Sequence, residues 1–368
     1  MSHTVCSVHI CHNSLPTDSL TRIHSLFLIL HCYQAHFSIL GMANMCRWKK
    51  LGYFFHLLFL ALLLITALIA ITNKRNFLQH QIMTLKKCSC SRCVSELGVS
   101  EWFDKRYISN MIPILIKSNK TIPMVSFNWW KRLQGNTNEF NISTVLEQLF
   151  ELFPGDSLPM DTGPRRCRTC AVVGNSGNLI GSNYGPIIDT YDFVMRMNRA
   201  ETVGYEADVG RKTTHHFMYP ESAQNLAENV SLVLIPFKIL DLQWLISAFT
   251  TGNIRRTYTG VLNKIKADRN KVLVVNPHFF KYICNNWNEN HGKYSSTGMI
   301  VLIFALHVCD EVDVYGFGAN RLGHWHHYWE KNSGAGAFRK TEVHDADFEA
   351  DVIQTLANIS KIQFFKGV

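Results

Sequence analysis

The chain has 368 residues, 47% of them hydrophobic and 18% charged, enough for one large domain or two small ones around a substantial core. Its formal net charge of +9 suits an anionic partner such as a nucleotide, a membrane surface or acidic glycans. No long Lys/Arg run or aromatic-basic repeat argues for nucleic acid, and no internal repeat or low-complexity tract is present.

Residues 1–44 are rich in cysteine and histidine (Cys6, Cys11 and Cys32 with His3, His9, His12, His24, His31 and His36), in spacings that form no recognised metal pattern. Residues 23–42 are semi-apolar, a weak second membrane candidate, and Met45 offers a second start that leaves a short basic tail. The run at 53–71, YFFHLLFLALLLITALIAI, is about long enough to span a bilayer at a rise of about 1.5 Å per residue. Arg47, Lys49 and Lys50 before it, against Lys74 and Arg75 after it, slightly favour an inside N-terminus. The run is long and lacks a small-x-small cleavage site, so it reads as an uncleaved signal anchor. The organisation expected is an N-terminal extension and cytoplasmic tail (1–52), the anchor (53–71), a short polar stem (72–87) and a lumenal domain (88–368). Four Asn-x-Ser/Thr sequons, at Asn119, Asn141, Asn229 and Asn358, all follow the anchor, which agrees with a lumenal domain.

Seven cysteines lie beyond the anchor, at 88, 90, 93, 167, 170, 284 and 309. An oxidising lumen favours disulfides over zinc for them, and sequence leaves their connectivity open. Trp102, Phe103, Trp129 and Trp130 fall in helical segments, and residues 141–153 form an amphipathic helix with Val145, Leu146, Leu149, Phe150 and Phe153 on one face. From there apolar strands at 171–173, 193–197, 231–236, 271–276 and 311–315 alternate with helical segments, which predicts an α/β fold: a mainly parallel sheet flanked by helices. Gly174-Asn-Ser-Gly177 after the first strand is a turn in which glycines let the backbone approach a ligand, and the segment from Asn178 is expected to start a helix whose N–H groups face an anion. Its spacing, Gly174-x-x-Gly177-x-x-x-Gly181, matches neither the dinucleotide fingerprint nor the P-loop. Asn175 and Asn198 both follow strands, where ligands of such sheets bind, and an amide reads a base or ribose without carrying charge.

Three later segments complete the pattern. Tyr294-Ser-Ser-Thr-Gly-Met299 precedes a helix at 300–308, so Ser296, Thr297 and Gly298 bring hydroxyl and N–H groups to a second anion-binding end. His324-Trp-His-His-Tyr-Trp-Glu330 concentrates histidine without the spacing of a metal site. In His344-Asp-Ala-Asp-Phe-Glu349 a histidine stands before a helix start, where the cationic form is disfavoured and a neutral base is held ready. Asp345-Ala-Asp347 has the form of a metal-binding DxD motif but stands at the start of a terminal helix instead of a strand end.

With the stretch from Cys170 to Phe217, these segments resemble the large, small, third and very small motifs of the animal-type sialyltransferases. The wording of Val308-Cys-Asp-Glu-Val312 and Gly334-Ala-Gly-Ala-Phe-Arg-Lys340 is similar to the β-galactoside α2,3-sialyltransferases that act on Galβ1,3GalNAc. The resemblance runs from about Cys88 to the C-terminus. It implies a Rossmann-like variant of the GT-A fold and a Golgi membrane protein of single-pass type II topology. It also implies an inverting transfer from CMP-sialic acid that needs no metal or other cofactor. By the same resemblance His344 is the general base, His327 stabilises the donor phosphate, and Asn175, Ser176, Asn198, Ser296, Thr297 and Gly298 contact the donor. Gln134, Tyr219, Tyr258, Tyr294 and Trp325 shape the acceptor side. Cys170 pairs with Cys309, Cys88 with Cys93 and Cys90 with Cys167, leaving Cys284 free. The partners implied are CMP-sialic acid and galactose-terminated glycoproteins or glycolipids, with no nucleic acid, and a homodimer is compatible with the chain. The alternatives are a catalytically silent lectin-like module, against which the retention of both histidines speaks, and a nicotinamide-dependent oxidoreductase, whose fingerprint is wrong.

Overall fold

The computed structural model describes residues 45–85, 87–133, 141–155, 165–320, 322–331 and 343–368. The stretch 1–44, Gln134 and the wording at 334–340 lie outside them. The chain divides into two units, Met1–His80 and Gln81–Val368. Helix α1 (Met45–Leu85) begins in the first. Its apolar stretch Gly52–Asn76 has 25 residues, a mean hydropathy of 2.8 and no buried share, and at about 1.5 Å per residue it is long enough to cross a membrane. Residues 53–71 lie within this stretch, and the helix continues through Leu85.

The second unit is built on a seven-stranded sheet in the order β5-β4-β3-β2-β1-β6-β7, parallel throughout. The strands are β1 Thr169–Val173, β2 Phe193–Met197, β3 His215–Met218, β4 Ser231–Leu234, β5 Val272–Val274, β6 Glu311–Tyr315 and β7 Gln363–Phe365. Five were expected, from apolar segments alternating with helical ones. Two of these are shorter than expected, since β4 ends at Leu234 and β5 spans only Val272–Val274. Strands β3 and β7 are additions. The flanking helices include α2 (Met124–Arg132), α3 (Ile142–Leu152), α4 (Ile239–Phe249), α5 (Pro277–Tyr282), α6 (Thr297–Val308) and α7 (Ala346–Asn358). Helix α3 is the expected amphipathic one, with Val145, Leu146, Leu149 and Phe150 buried, and Asn141 caps it by accepting the Ser143 N–H.

Alternation along the strands sorts the core into faces. Cys170, Val172, Met195, Phe217 and Val314 share one cluster with α6, whose residues Met299 to Val308 are all buried. Ala171, Val173, Val194 and Tyr315 share another with Leu179 and Ile188. A helix apolar all round belongs inside, and α6 therefore brings its N-terminus to a fixed place against the sheet. Three disulfides join Cys88 to Cys93, Cys90 to Cys167 and Cys170 to Cys309, the same pairs the resemblance implies, and Cys284 is free and buried. All four sequon asparagines are exposed.

The expected helix from Asn178 does not form. Gly177–Leu179 makes one 3-10 turn, and the chain then passes through Gly181 (φ 79°) and Asn183 (φ 55°), left-handed positions that end any helical run.

Candidate active site

The strand order reverses beside β1, whose neighbours are β2 on one side and β6 on the other. In parallel sheets such a switch opens a crevice beyond the carboxyl ends of the strands. The cleft there measures ≈ 350 Å³. Three strand exits meet in it: Gly174–Ser176 after β1, Asn198 after β2, and Gly316–Gly318 after β6. The Gly174 N–H donates to Tyr315 O (2.8 Å) and that of Ser176 to Gly316 O (3.0 Å), drawing the β1 and β6 exits together. A Cβ on Gly174 would lie 2.3 Å from the Gly316 carbonyl oxygen, so the position requires glycine. The Asn178 amide donates to Phe317 O at 2.8 Å and reinforces the same join.

The histidine-rich segment lies on the other side of this turn. Gly177 N–H donates to His326 O (2.8 Å) and Tyr328 N–H to Asn175 O (3.0 Å), a short antiparallel bridge centred on Ser176 and His327. His327 Nδ1 is 2.8 Å from Glu330 Oε1, and its ring stacks on Trp329 at 4.5 Å and 8°. An ionised carboxylate only accepts, so Nδ1 carries the proton of this bond, and Nε2 has no partner among the described residues.

His344 is fixed in the same manner. Its Nδ1 lies 2.8 Å from the Tyr294 carbonyl oxygen, and the two rings meet edge to face at 5.1 Å. A carbonyl cannot donate, so Nδ1 bears a hydrogen, and in the neutral ring Nε2 is the nitrogen with the lone pair. Asp345, next in sequence, caps α7 by accepting the Phe348 N–H at 3.0 Å.

The N-terminus of α6 forms the floor. Ser296 caps it, accepting the Met299 N–H at 3.1 Å. Its own N–H and hydroxyl both donate to Glu349, at 2.7 Å and 2.5 Å, and Asn288 Nδ2 donates to the same carboxylate at 3.0 Å. Glu349 is 6% exposed. Burial pushes its carboxyl upward, while the Ser296 donors and the neighbouring His344 pull the other way. Of the donors expected to meet an anion here, Ser296 is thus already engaged, and the N–H groups of Thr297 and Gly298 remain free of helical acceptors.

Among the described residues lining the cleft, Asn175 and Asn198 each hold a buried side-chain oxygen without a partner. Asn175 donates its amide to Met197 O (3.2 Å), and its Oδ1 is buried and unbonded; Asn198 Oδ1 is in the same condition. Native structures seldom leave such atoms unmet, and here they mark where a ligand belongs.

The lining therefore includes Asn175, Ser176, Asn198, Tyr219, Thr297, Gly298, Trp325, His327 and His344, all expected from sequence, with Ser296 below. Tyr294 contributes its carbonyl and ring behind His344. Tyr258 is 76% exposed and is not among the lining residues; its backbone N–H is held by Glu221 (2.9 Å). Sequence reasoning missed Met197, Gly316, Phe317 and Gly318. The signal available was Gly316-Phe-Gly318 directly after an apolar strand, the same form as the turn after β1.

The family model of glycosyltransferase family 29 (sialyltransferase) matches residues 114–361. The CMP-N-acetylneuraminate-beta-galactosamide-alpha-2,3-sialyltransferase 1 of Gallus gallus is 60% identical over 283 residues, 77% of this chain and 83% of its own. The protein of the same name from Homo sapiens is 50% identical over 296 residues, 80% of this chain and 86% of its own. A crystal structure of a mammalian sialyltransferase in complex with Gal-beta-1-3GalNAc-ortho-nitrophenol is similar with a TM-score of 0.72 and 50% identity, over 76% of this chain and 100% of that one.

Proposed function

Because the chain belongs to glycosyltransferase family 29, the sialyltransferases, we propose that it transfers sialic acid from CMP-sialic acid to the 3-OH of a terminal galactose. Galβ1,3GalNAc, on O-glycans or glycolipids, is the acceptor in this reading, which the names of its relatives support. Helix α1 then anchors a single-pass, type II protein of the Golgi membrane, with the sheet domain in the lumen.

In the mechanism the galactose 3-oxygen forms a bond to the anomeric carbon of sialic acid as the bond to the CMP phosphate breaks on the opposite face, inverting the centre. The hydroxyl proton passes to His344 Nε2, the nitrogen left bare by the Nδ1–H bond to Tyr294 O. That bond is the observation that carries the reading. His327 and the N–H groups of Thr297 and Gly298 offset charge growing on the departing phosphate. Asn175 and Asn198 offer their unbonded oxygens to the nucleotide. Every step is assigned to side chains and backbone, so turnover is expected to continue without a metal.

The test is the full-length protein in detergent, given CMP-sialic acid and Galβ1,3GalNAc with EDTA present. A 2,3-linked product supports donor, acceptor and metal independence together. CMP binding without product refutes the acceptor and restores the lectin-like alternative, and absence of CMP binding overturns the whole assignment.

A further inference from the structure

Asn198 has a backbone that asparagine adopts more readily than other side chains but does not prefer, with φ 58°. Its N–H still makes the last rung between β2 and β3, donating to Phe217 O at 2.8 Å. Its carbonyl has left the ladder. That oxygen lies 2.6 Å from His216 Nε2 and accepts from the Gln224 amide at 3.3 Å; the 2.8 Å approach of the two nitrogens brings two donors together and is not itself a hydrogen bond once Nε2 bears the ring hydrogen. His216 is 3% exposed and comes from β3. Burial lowers its pKa to about 4, so at neutral pH it holds one ring hydrogen, which the geometry puts on Nε2 toward the carbonyl. The backbone reversal held in this way is what leaves the Asn198 side chain at the cleft with an unbonded, buried Oδ1.

We infer that His216, assisted by Gln224, is a positioning residue that locks Asn198 in its left-handed conformation and so presents the Asn198 amide to the nucleotide of the donor. The inference rests on the reading of Asn198 as a donor contact. His216 itself touches no substrate. Nothing in a buried neutral histidine on an inner strand would require a polar ring for packing; the ring hydrogen is needed by the one carbonyl that the sheet cannot serve.

The test compares His216→Phe, which keeps a ring and removes the donor, with His216→Gln, which restores an N–H at about the same reach. An interaction made equally in ground and transition states changes KM and spares kcat. For His216→Phe we expect CMP affinity, read by titration calorimetry, to fall about tenfold, the KM for CMP-sialic acid to rise alike, and kcat and acceptor KM to move less than about twofold. His216→Gln restores most of the loss. A folded His216→Phe protein with wild-type CMP affinity overturns the inference. So does a parallel rise in donor and acceptor KM that His216→Gln does not rescue. If His216→Phe does not fold, Gln224→Leu takes its place, with weaker CMP binding expected and unchanged CMP binding overturning the idea. In an Asn198→Ala background the His216 substitution should have no further effect on CMP affinity. If Asn198→Ala alone binds CMP as the wild type does, the donor reading of Asn198 fails, a result separate from the others.

Discussion

Glu349→Gln tests whether the buried carboxylate organises the α6 end of the cleft. In the wild type Oε1 accepts from Ser296 N–H and Asn288 Nδ2, and Oε2 accepts from Ser296 Oγ. A glutamine can keep Oε1 and both of its donors, but an NH2 replaces Oε2 and can only donate to the Ser296 hydroxyl. Ser296 Oγ can take that donation beside the one from Met299 N–H, but its own hydrogen loses the carboxylate acceptor. One hydrogen bond to a charged group is lost, at about 1.5–3 kcal/mol. For a unit of this size, Gln81–Val368, that lowers Tm by roughly 2.5–5 °C. Glu349→Ala strands all three donors, at about 1–3 kcal/mol each, enough to threaten the fold. Differential scanning calorimetry reads the first quantity and a double-mutant cycle with Ser296→Ala isolates the pair, whose coupling should be about 2 kcal/mol. A Glu349→Gln protein with an unaltered Tm, or a coupling near zero, would refute the reasoning.

Other predictions concern chemistry, covalent ties and pH. His344→Asn keeps an N–H near Nδ1 and removes Nε2, so kcat should fall about 10²–10⁴-fold, with CMP affinity unchanged; near-normal turnover would sink the base assignment. Chain entropy ranks the disulfides: loss of Cys170–Cys309, separation 139, costs about 5 kcal/mol, Cys90–Cys167, separation 77, about 4.5, and Cys88–Cys93, separation 5, about 2. Paired Cys→Ala variants in urea check the ranking. His215, His216 and His307 are buried with pKa values lowered to about 4, so their unfolded states bind protons first as pH falls below about 6.5. Their stabilising contribution is complete above that pH and is lost on the way down to about 4. Asp241, raised by burial to about 6, opposes them, and the four groups together leave a net difference of about two protons at pH 5. The buried carboxyls of Glu349 and Asp313, also pushed upward, offset part of this, so stability should fall by less than roughly 2.7 kcal/mol per pH unit there, and ring titration of these histidines near pH 6.5 in the folded protein would contradict their burial.

The parts of the fold legible in sequence are those where one local pattern suffices. Strands β1, β2 and β6 are short, mostly apolar segments rich in valine and methionine, and α6 follows a cap residue. Strand β3 is hidden because His215-His216 reads as polar, although His215 packs on Phe193 at 4.5 Å and His216 serves a backbone carbonyl. Strand β7 is three residues at a sheet edge, half-exposed and close to the end of the chain. The helix expected from Asn178 follows a turn whose wording suits either outcome, and the left-handed residues at 181 and 183 decide it. His327 and His344 were found through their motifs, but the commitment of each Nδ1 depends on partners that sequence does not rank. Glu349 shows the limit most clearly, since its donors Ser296 and Asn288 stand 53 and 61 positions away.

The position of β1 between β2 and β6 also has a consequence for biogenesis. Its second neighbour is synthesised long after it, and Cys309 follows Cys170 by 139 residues. At about 5–20 residues per second, β1 waits roughly 7–28 s with one edge unpaired. Through that interval the Cys170 thiol coexists with Cys88, Cys90, Cys93 and Cys167, all made earlier and all within reach of exchange. The chain must hold Cys170 in reserve, or recover it by isomerisation, until β6 arrives to close the sheet and the cleft together. If the sheet domain is lumenal, as proposed, the oxidoreductases there set the yield of active protein as firmly as its final stability does.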